Sequence, residues 1–191
     1  LISRAKKNYI STELKKNYKI VQIKEDISKA KKILFADYVI YCAISKNFTN
    51  DYKAVKNYFK LAKKYHKDSS VVYTSSGAVY GKQLKKNIKI NDLQKVDSKK
   101  YFSPLKKKYA LLKIKNEKIF KKLSNENIKV CVARCFAFVG KHLPLDANYV
   151  IGNFIKSILD NKSIEVSSKI KVIRSYMHGY DLSECLIKLA L

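Results

Sequence analysis

Glycine is missing from the first 76 residues of this 191-residue chain and first occurs at Gly77. Nowhere does an uninterrupted apolar run approach the roughly 20 residues that a membrane-spanning helix needs. The lysines near the start are not followed by the apolar stretch of a signal peptide, so a cytoplasmic location is expected. Methionine occurs only at Met177, so position 1 is not an initiator and the chain reads as an interior piece of something longer. The four cysteines, Cys42, Cys131, Cys135 and Cys185, form no CxxC pair, and only His66, His142 and His178 could join them. No zinc-ligand spacing results, and reduced, mostly buried thiols are expected.

Arginine is scarce too. The 41 basic residues include only Arg4, Arg134 and Arg174, which leaves 38 lysines. A net charge of +26 invites a nucleic-acid partner. Arginine, however, is the preferred fork for phosphates and base edges, and its scarcity argues against that function. Lysines such as Lys53, Lys56, Lys60, Lys63, Lys64 and Lys67 recur as the solvent face of a helix would require.

What is present is a globular pattern, with 47% hydrophobic residues and enough length for one substantial core. Short apolar runs at 19–23, 38–43, 70–74 and 130–134 alternate with amphipathic segments at 52–66 and 105–126. That alternation predicts parallel strands covered by helices. Residues 82–102 hold no clear period and read as a surface excursion ending at Ser103-Pro104, where proline suits a first helical turn. Past Gly140 the sequence predicts a helix near 153–159, a strand near 164–166 and a last helix N-capped by Asp181.

Two stretches carry chemistry. The run Val71-Val72-Tyr73 breaks into Thr74-Ser75-Ser76-Gly77-Ala78-Val79-Tyr80-Gly81, which places Ser76 at a strand's carboxyl end in a turn made possible by Gly77. Its hydroxyl would face the crevice where open α/β sheets bind ligands. Tyr109 and Lys113 stand one helical turn apart on one face. A phenol with a pKa near ~10 shuttles protons at neutral pH only when a neighbouring cation favours the phenolate, and Lys113 could be that cation. Spacing alone is weak: 14 tyrosines in so lysine-rich a chain give roughly three Tyr-x-x-x-Lys matches by chance, and Tyr52/Lys56 is another. Only the pair at 109 and 113 follows the serine-bearing strand.

Taken in order, these residues resemble the extended short-chain dehydrogenase/reductase family, the NAD-dependent epimerases and dehydratases of nucleotide sugars. The resemblance runs through Asp37 to Ala43, Val72 to Gly81, Tyr109-x-x-x-Lys113-x-x-x-Glu117, Ala133-Arg134-Cys135-Phe136 with Gly140, Ile151 to Ile155, and Arg174 to Leu182. It implies a doubly wound, Rossmann-like α/β fold, incomplete at its N-terminus. Residues 1–145 would form a partial NAD(P)-binding domain, and 146–191 the beginning of a substrate-binding region.

By the same resemblance Tyr109 would be the acid/base, Lys113 would lower its pKa and hold the nicotinamide ribose, and Ser76 would hydrogen-bond the reacting hydroxyl or ketone. Asn153 would contact the nucleotide-sugar diphosphate, and Arg174 the same phosphates or the nucleotide ribose, a task that a fixed cation with several donors suits. On the cofactor side, Asp26 would lie by the adenine, Ala43 would border the dinucleotide, and Arg4 near the second strand would suit a 2′-phosphate. The cofactor would be NAD or NADP, the substrate a nucleotide sugar, and the assembly a homodimer through the helices at 52–66 and 105–124.

Departures narrow the chemistry. The family's glycine-rich turn after the first strand has no counterpart in residues 1–76, so the pyrophosphate cradle is expected to be missing. Gly77 and Ala78 replace the aspartate and glutamate that 4,6-dehydratases use, which favours epimerisation or keto-reduction over dehydration. Ala137 replaces an asparagine common in the family, and the stretch between Ser76 and Tyr109 is longer than usual. The alternative reading is a non-catalytic or truncated member that serves as a binding or assembly module.

Overall fold

The computed structural model describes residues 2–3, 16–45, 47–81, 103–145, 149–166 and 174–191. Arg4 and the expected excursion at 82–102 lie outside the described residues. In chain order the elements are β1 (Ile2–Ser3), β2 (Ile23–Lys24), β3 (Tyr38–Tyr41), α1 (Phe48–Tyr65), β4 (Ser70–Ser76), α2 (Pro104–Lys122), β5 (Lys129–Cys135), β6 (Ala137–Val139), α3 (Val150–Leu159), β7 (Tyr176–His178) and α4 (Gly179–Ala190).

Strand β4 is the axis of the molecule because Val71, Val72 and Tyr73 at its centre are β-branched or aromatic and suit burial on both faces. Val71 and Val72 are fully buried and Tyr73 nearly so. It pairs in parallel with β3 on one side and β5 on the other, Val72 lying between Ile40 and Cys131. Two further parallel pairs, β1 with β2 and β6 with β7, complete the strands. Alternation along β4 then sorts its side chains between two layers. Val71 and Tyr73 join a cluster with Val55, Tyr58, Leu61 and Ala62 of α1 and Phe120 of α2. Val72 turns the other way, onto Leu186 and Ala190 of α4. Helices on both faces of a parallel sheet make the doubly wound, Rossmann-like arrangement that the sequence implies.

Helix boundaries follow from capping chemistry. The Asn47 side chain accepts hydrogen bonds from the Thr49 and Asn50 amides, at 2.9 and 3.2 Å, and so starts α1 four residues before the apolar period begins. Ser103 caps α2 through the Lys106 amide, with Pro104 in its first turn. Beyond Lys122 the helix tightens into a 3-10 turn, Leu123–Glu126, and stops where Asn127 takes a left-handed conformation with φ of 58°. The lysines named on 53–67 are all exposed.

Three expectations are corrected. Residues 164–166 form no strand, and Ile164 and Val166 are 47% and 71% exposed. Two apolar residues flanking Glu165, without a neighbouring edge, do not make a strand. The late strands are β6 and β7, which hold each other. Helix α4 is capped by His178, whose Nδ1 accepts the Tyr180 amide, so Asp181 falls within the first turn, where its charge still complements the helix dipole. The cysteines are not mostly buried: Cys42 and Cys185 are exposed, and Cys131 and Cys135 half-buried. No described helix is long and apolar enough to cross a membrane.

Candidate active site

Ser75 and Ser76 end β4 on opposite faces and have different work. The Ser75 hydroxyl is buried and donates to Glu117 Oε1 at 2.6 Å. Ser76 is half-buried, and its Oγ accepts the Ala78 amide at 3.2 Å, capping the 3-10 turn Gly77–Tyr80. Gly77 is needed here for a reason the sequence did not show. Its φ is not positive; a Cβ at this position would stand 2.7 Å from the Phe136 ring. Glycine thus lets the turn close against the end of β5.

Helix α2 brings Tyr109 and Lys113 up to this turn. Ala110 and Leu112 bury one side of the helix, which rotates Lys113 inward until it is 4% exposed. Its Nζ donates to the Thr74 carbonyl at 3.0 Å and lies 5.0 Å from the Tyr73 ring centre and 5.9 Å from that of Tyr109. Buried ammonium beside two aromatic faces is a cation–π arrangement. Burial lowers the Lys113 pKa, and the carboxylate of Asp51 opposes that shift. Tyr109, half-buried against Phe48 with ring centres 6.2 Å apart, has its pKa raised by burial. Its hydrogen bond with Ser76 pulls the other way, and Asp51 adds to the rise. The expected net lowering of the phenol by Lys113 is therefore not what this structure has: desolvation outweighs the helpful contacts, and Lys113 is committed to a backbone carbonyl.

Sequence reasoning missed Asp51. In α1's first turn, 3% exposed, it accepts the Ser45 amide at 2.8 Å and the Asn116 amide nitrogen at 3.0 Å. One acidic residue in a lysine-coated helix gave no periodic signal. Its burial on the face turned to α2 is what places it beneath the tyrosine and lysine.

A second buried network braces the site from below. Glu117, two turns beyond Tyr109 on α2, receives Arg134 Nε at 3.1 Å and Nη2 at 2.9 Å, while Arg134 Nη1 donates to the Tyr80 hydroxyl at 3.0 Å. This forked pairing raises the already high arginine pKa. It ties α2, β5, the serine turn and the end of β4 to one carboxylate. The scarcity of arginine was the available signal for Arg134, and the motif spacing that for Glu117.

The other candidates are less gathered. Asp26 is half-buried, and its Oδ1 accepts the Ser28 amide at 2.9 Å, closing a turn after β2. Ala43 follows β3 and is exposed, and both residues line a large cleft beside that strand. Asn153 lies in α3 and Arg174 just before β7, and both are exposed. Tyr149, the residue before α3, adds a small share to the raised Tyr109 pKa through its charge. Among the described residues, no cluster of three or more histidines, cysteines or carboxylates could hold a metal ion.

The fold is shared with known enzymes. A UDP-N-acetylglucosamine 4-epimerase from Methanobrevibacter ruminantium M1, solved with UDP-N-acetylmuramic acid, is 23% identical with a TM-score of 0.71, over 88% of this chain and 57% of that one. A UDP-glucuronic acid 4-epimerase from Bacillus cereus, solved with UDP-glucuronic acid and NAD, gives 18% and 0.65, over 91% and 55%. A dTDP-glucose 4,6-dehydratase from Bacillus anthracis str. Ames, solved with NAD, gives 16% and 0.67, over 93% and 57%. The chain thus spans somewhat more than half the length of these neighbours. No curated protein sequence matches it. The sequence profile described as "NAD dependent epimerase/dehydratase family" matches residues 21–191, nearly all of the chain, and the chain belongs to that family.

Proposed function

We propose that this chain supplies the catalytic floor of an NAD(P)-dependent nucleotide-sugar epimerase or keto-reductase. The observation that carries the reading is the convergence of Ser76, Tyr109 and Lys113 at the carboxyl ends of β3 and β4. Tyr109 would exchange the proton of a sugar hydroxyl while Ser76 held the same oxygen. Lys113 has three donors, of which Thr74 takes one, and the others are available to a ribose hydroxyl. The residues at this end fit a nicotinamide nucleotide, which when bound would accept or return the hydride. The backbone cradle for its pyrophosphate is not among the described residues, and no step is assigned to it.

Asp51 gives Lys113 a buried countercharge, and a bound nicotinamide ribose would draw its ammonium toward Tyr109, lowering the phenol relative to the structure described. Asn153 and Arg174 would hold the sugar-nucleotide phosphates, Asp26 the adenine side and Ala43 the dinucleotide edge. Residues from 146 onward would begin the substrate region. Gly77 and Ala78 leave no carboxylate for dehydration at that turn. A homodimer through the outer faces of α1 and α2 belongs to the same reading. One observation favours the alternative of a binding or assembly module for the chain alone: the open cleft on the cofactor side of β3.

The test is turnover of UDP-, GDP- and dTDP-sugars with NAD and NADP, using the longest chain the gene encodes. Tyr109→Phe should cut turnover by about 10²-fold or more while leaving nucleotide-sugar binding, read by thermal shift, unchanged. Near-normal turnover in this variant would sink the assignment.

A further inference from the structure

Strands β4 and β5 end level, with Ser76 opposite Cys135, and the residues that follow them, Gly77 and Phe136, meet. The space that a side chain at position 77 would fill is taken by the Phe136 ring, whose Cδ1 and Cε1 stand 2.7 Å from where a Cβ would be. That ring is 52% exposed, at the end of the sheet where open α/β folds take their ligands. A single exposed phenylalanine is ordinary. What sets this one apart is its support. It stacks on Tyr80 with ring centres 6.0 Å apart and planes 16° from parallel. Tyr80 is buried, its ring lies 5.1 Å from the guanidinium carbon of Arg134, and its hydroxyl accepts Arg134 Nη1 at 3.0 Å. Arg134 is in turn forked onto Glu117. An open ring is thus fixed from behind by a buried stack and an ion pair, the kind of support that a binding surface needs.

The chemistry beside it is one-sided. Past Ser76 the chain offers Gly77 and Ala78, and past Cys135 it offers Phe136 and Ala137, none with a polar side chain. The polar groups of the site, Ser76, Tyr109 and Lys113, come from the end of β4 and from α2. We propose that Phe136 is a specificity-determining residue: its ring is the apolar wall on which a C–H face of the sugar lies, and it restricts the substrate to nucleotide sugars whose substituents beside the reacting hydroxyl are uncharged. This rests on the reading of Ser76, Tyr109 and Lys113 as the reacting end.

The face of a phenyl ring carries negative charge density, which suits polarised C–H bonds and repels a carboxylate. A carboxylate laid against this wall would also lose its water without gaining a donor, a far larger penalty than a misplaced methylene. Arg134, behind the wall, is engaged with Glu117 and Tyr80. A hydrogen, methyl or hydroxymethyl group meets no such penalty. Hexose and pentose nucleotides are therefore admitted, and uronic acid nucleotides refused.

The test compares UDP-glucose, UDP-xylose and UDP-glucuronic acid on the longest chain the gene encodes, with NAD and NADP. The kcat/KM values for the two uncharged sugars should exceed that for UDP-glucuronic acid by about 100-fold or more. Phe136→Lys, which replaces the wall by an ammonium, should narrow that ratio at least about tenfold. Phe136→Leu keeps the wall apolar but removes its flat face, so the ratio should hold while KM for UDP-glucose rises roughly tenfold. A merely structural Phe136 would lower turnover of all three sugars alike. A second measurement needs no turnover: with isotope-labelled phenylalanine, the ring signal that disappears in Phe136→Leu should shift with UDP-glucose and stay in place with UDP.

Efficient turnover of UDP-glucuronic acid, a ratio indifferent to Phe136→Lys, or a Phe136 signal unmoved by bound UDP-glucose would each overturn the inference and leave the role of Tyr109 standing. Failure of that role shows separately, as near-normal turnover in Tyr109→Phe. No response of the protein to any of the three nucleotides would remove both.

Discussion

Strand β3 has two faces, and they differ in company rather than in composition. On one, Tyr41 is buried among Tyr58, Tyr73 and Phe120, with ring centres 4.9, 6.1 and 5.0 Å away. On the other, Tyr38 is 55% exposed and Ile40 37%. Both faces are aromatic and aliphatic; only the first is closely packed. The contrast extends to the candidate residues. Ser76, Tyr109 and Lys113 are held by contacts within this chain, whereas Asp26 and Ala43 border the open cleft.

Phenylalanines on the two sides give the largest test of that contrast. Phe120, 1% exposed and stacked 4.2 Å from Tyr73, should cost about 3–5 kcal/mol when changed to Ala. Phe35→Ala, at the cleft, should stay within about 0.5 kcal/mol. Urea unfolding of both variants measures the difference, and similar losses would show that the cleft is packed after all. Next in size is Glu117→Gln, which leaves the buried Arg134 without its countercharge and should cost about 2–3 kcal/mol in the same measurement. A loss no larger than that of a surface substitution would mean that the brace under the serine turn is dispensable.

Gly77→Ala should cost about 1–2 kcal/mol through the clash with Phe136. Combining it with Phe136→Leu should recover part of that loss in a double-mutant cycle, and simple additivity would rule the clash out. The smallest effect is a pH dependence on the packed side. His66 bonds Tyr58 and the Leu34 carbonyl, and burial lowers its pKa. The folded state therefore binds fewer protons than the unfolded one below the ordinary histidine value of about 6.5. The corresponding stability is intact above that pH and declines as the pH falls toward the lowered folded value. Unfolding free energies at pH 7.5 and 5.5 for wild type and His66→Gln should show a shallower acid loss in the variant; parallel losses would remove His66 as the cause.

The sequence disclosed most where a local rule is enough. Pro104 and Ser103 announced the start of α2, and Val71-Val72-Tyr73 announced a buried strand. It disclosed least where a residue's meaning comes from across the fold. β6 and β7 are three residues each and exist because they hold each other, although residues 140–175 lie between them. Ile164 and Val166 look as much like a strand as those segments do but have no such neighbour. Of the candidate site, the nearness of Ser76, Tyr109 and Lys113 was legible through order and spacing, while that of Asp51 was not. No spacing rule links an aspartate in one helix to an asparagine 65 positions later in another. The raised Tyr109 pKa was equally hidden, since desolvation is a property of the assembled interior.

The adjacent serines carry a further consequence. Ser75 faces Glu117 and Ser76 faces Tyr109, one hydroxyl built into the brace and one turned to the candidate acid/base, separated by a single peptide. Because side chains on a strand change faces at every residue, inserting or deleting one residue in β4 would exchange their assignments. The Ser75 hydroxyl would then be offered to the phenol, and that of Ser76 to a carboxylate already engaged with Arg134. The parallel register that sets Ser75 opposite Arg134 and Ser76 opposite Cys135 thus acts as a reading frame for the site, and its length is as heritable a constraint as the identity of either serine.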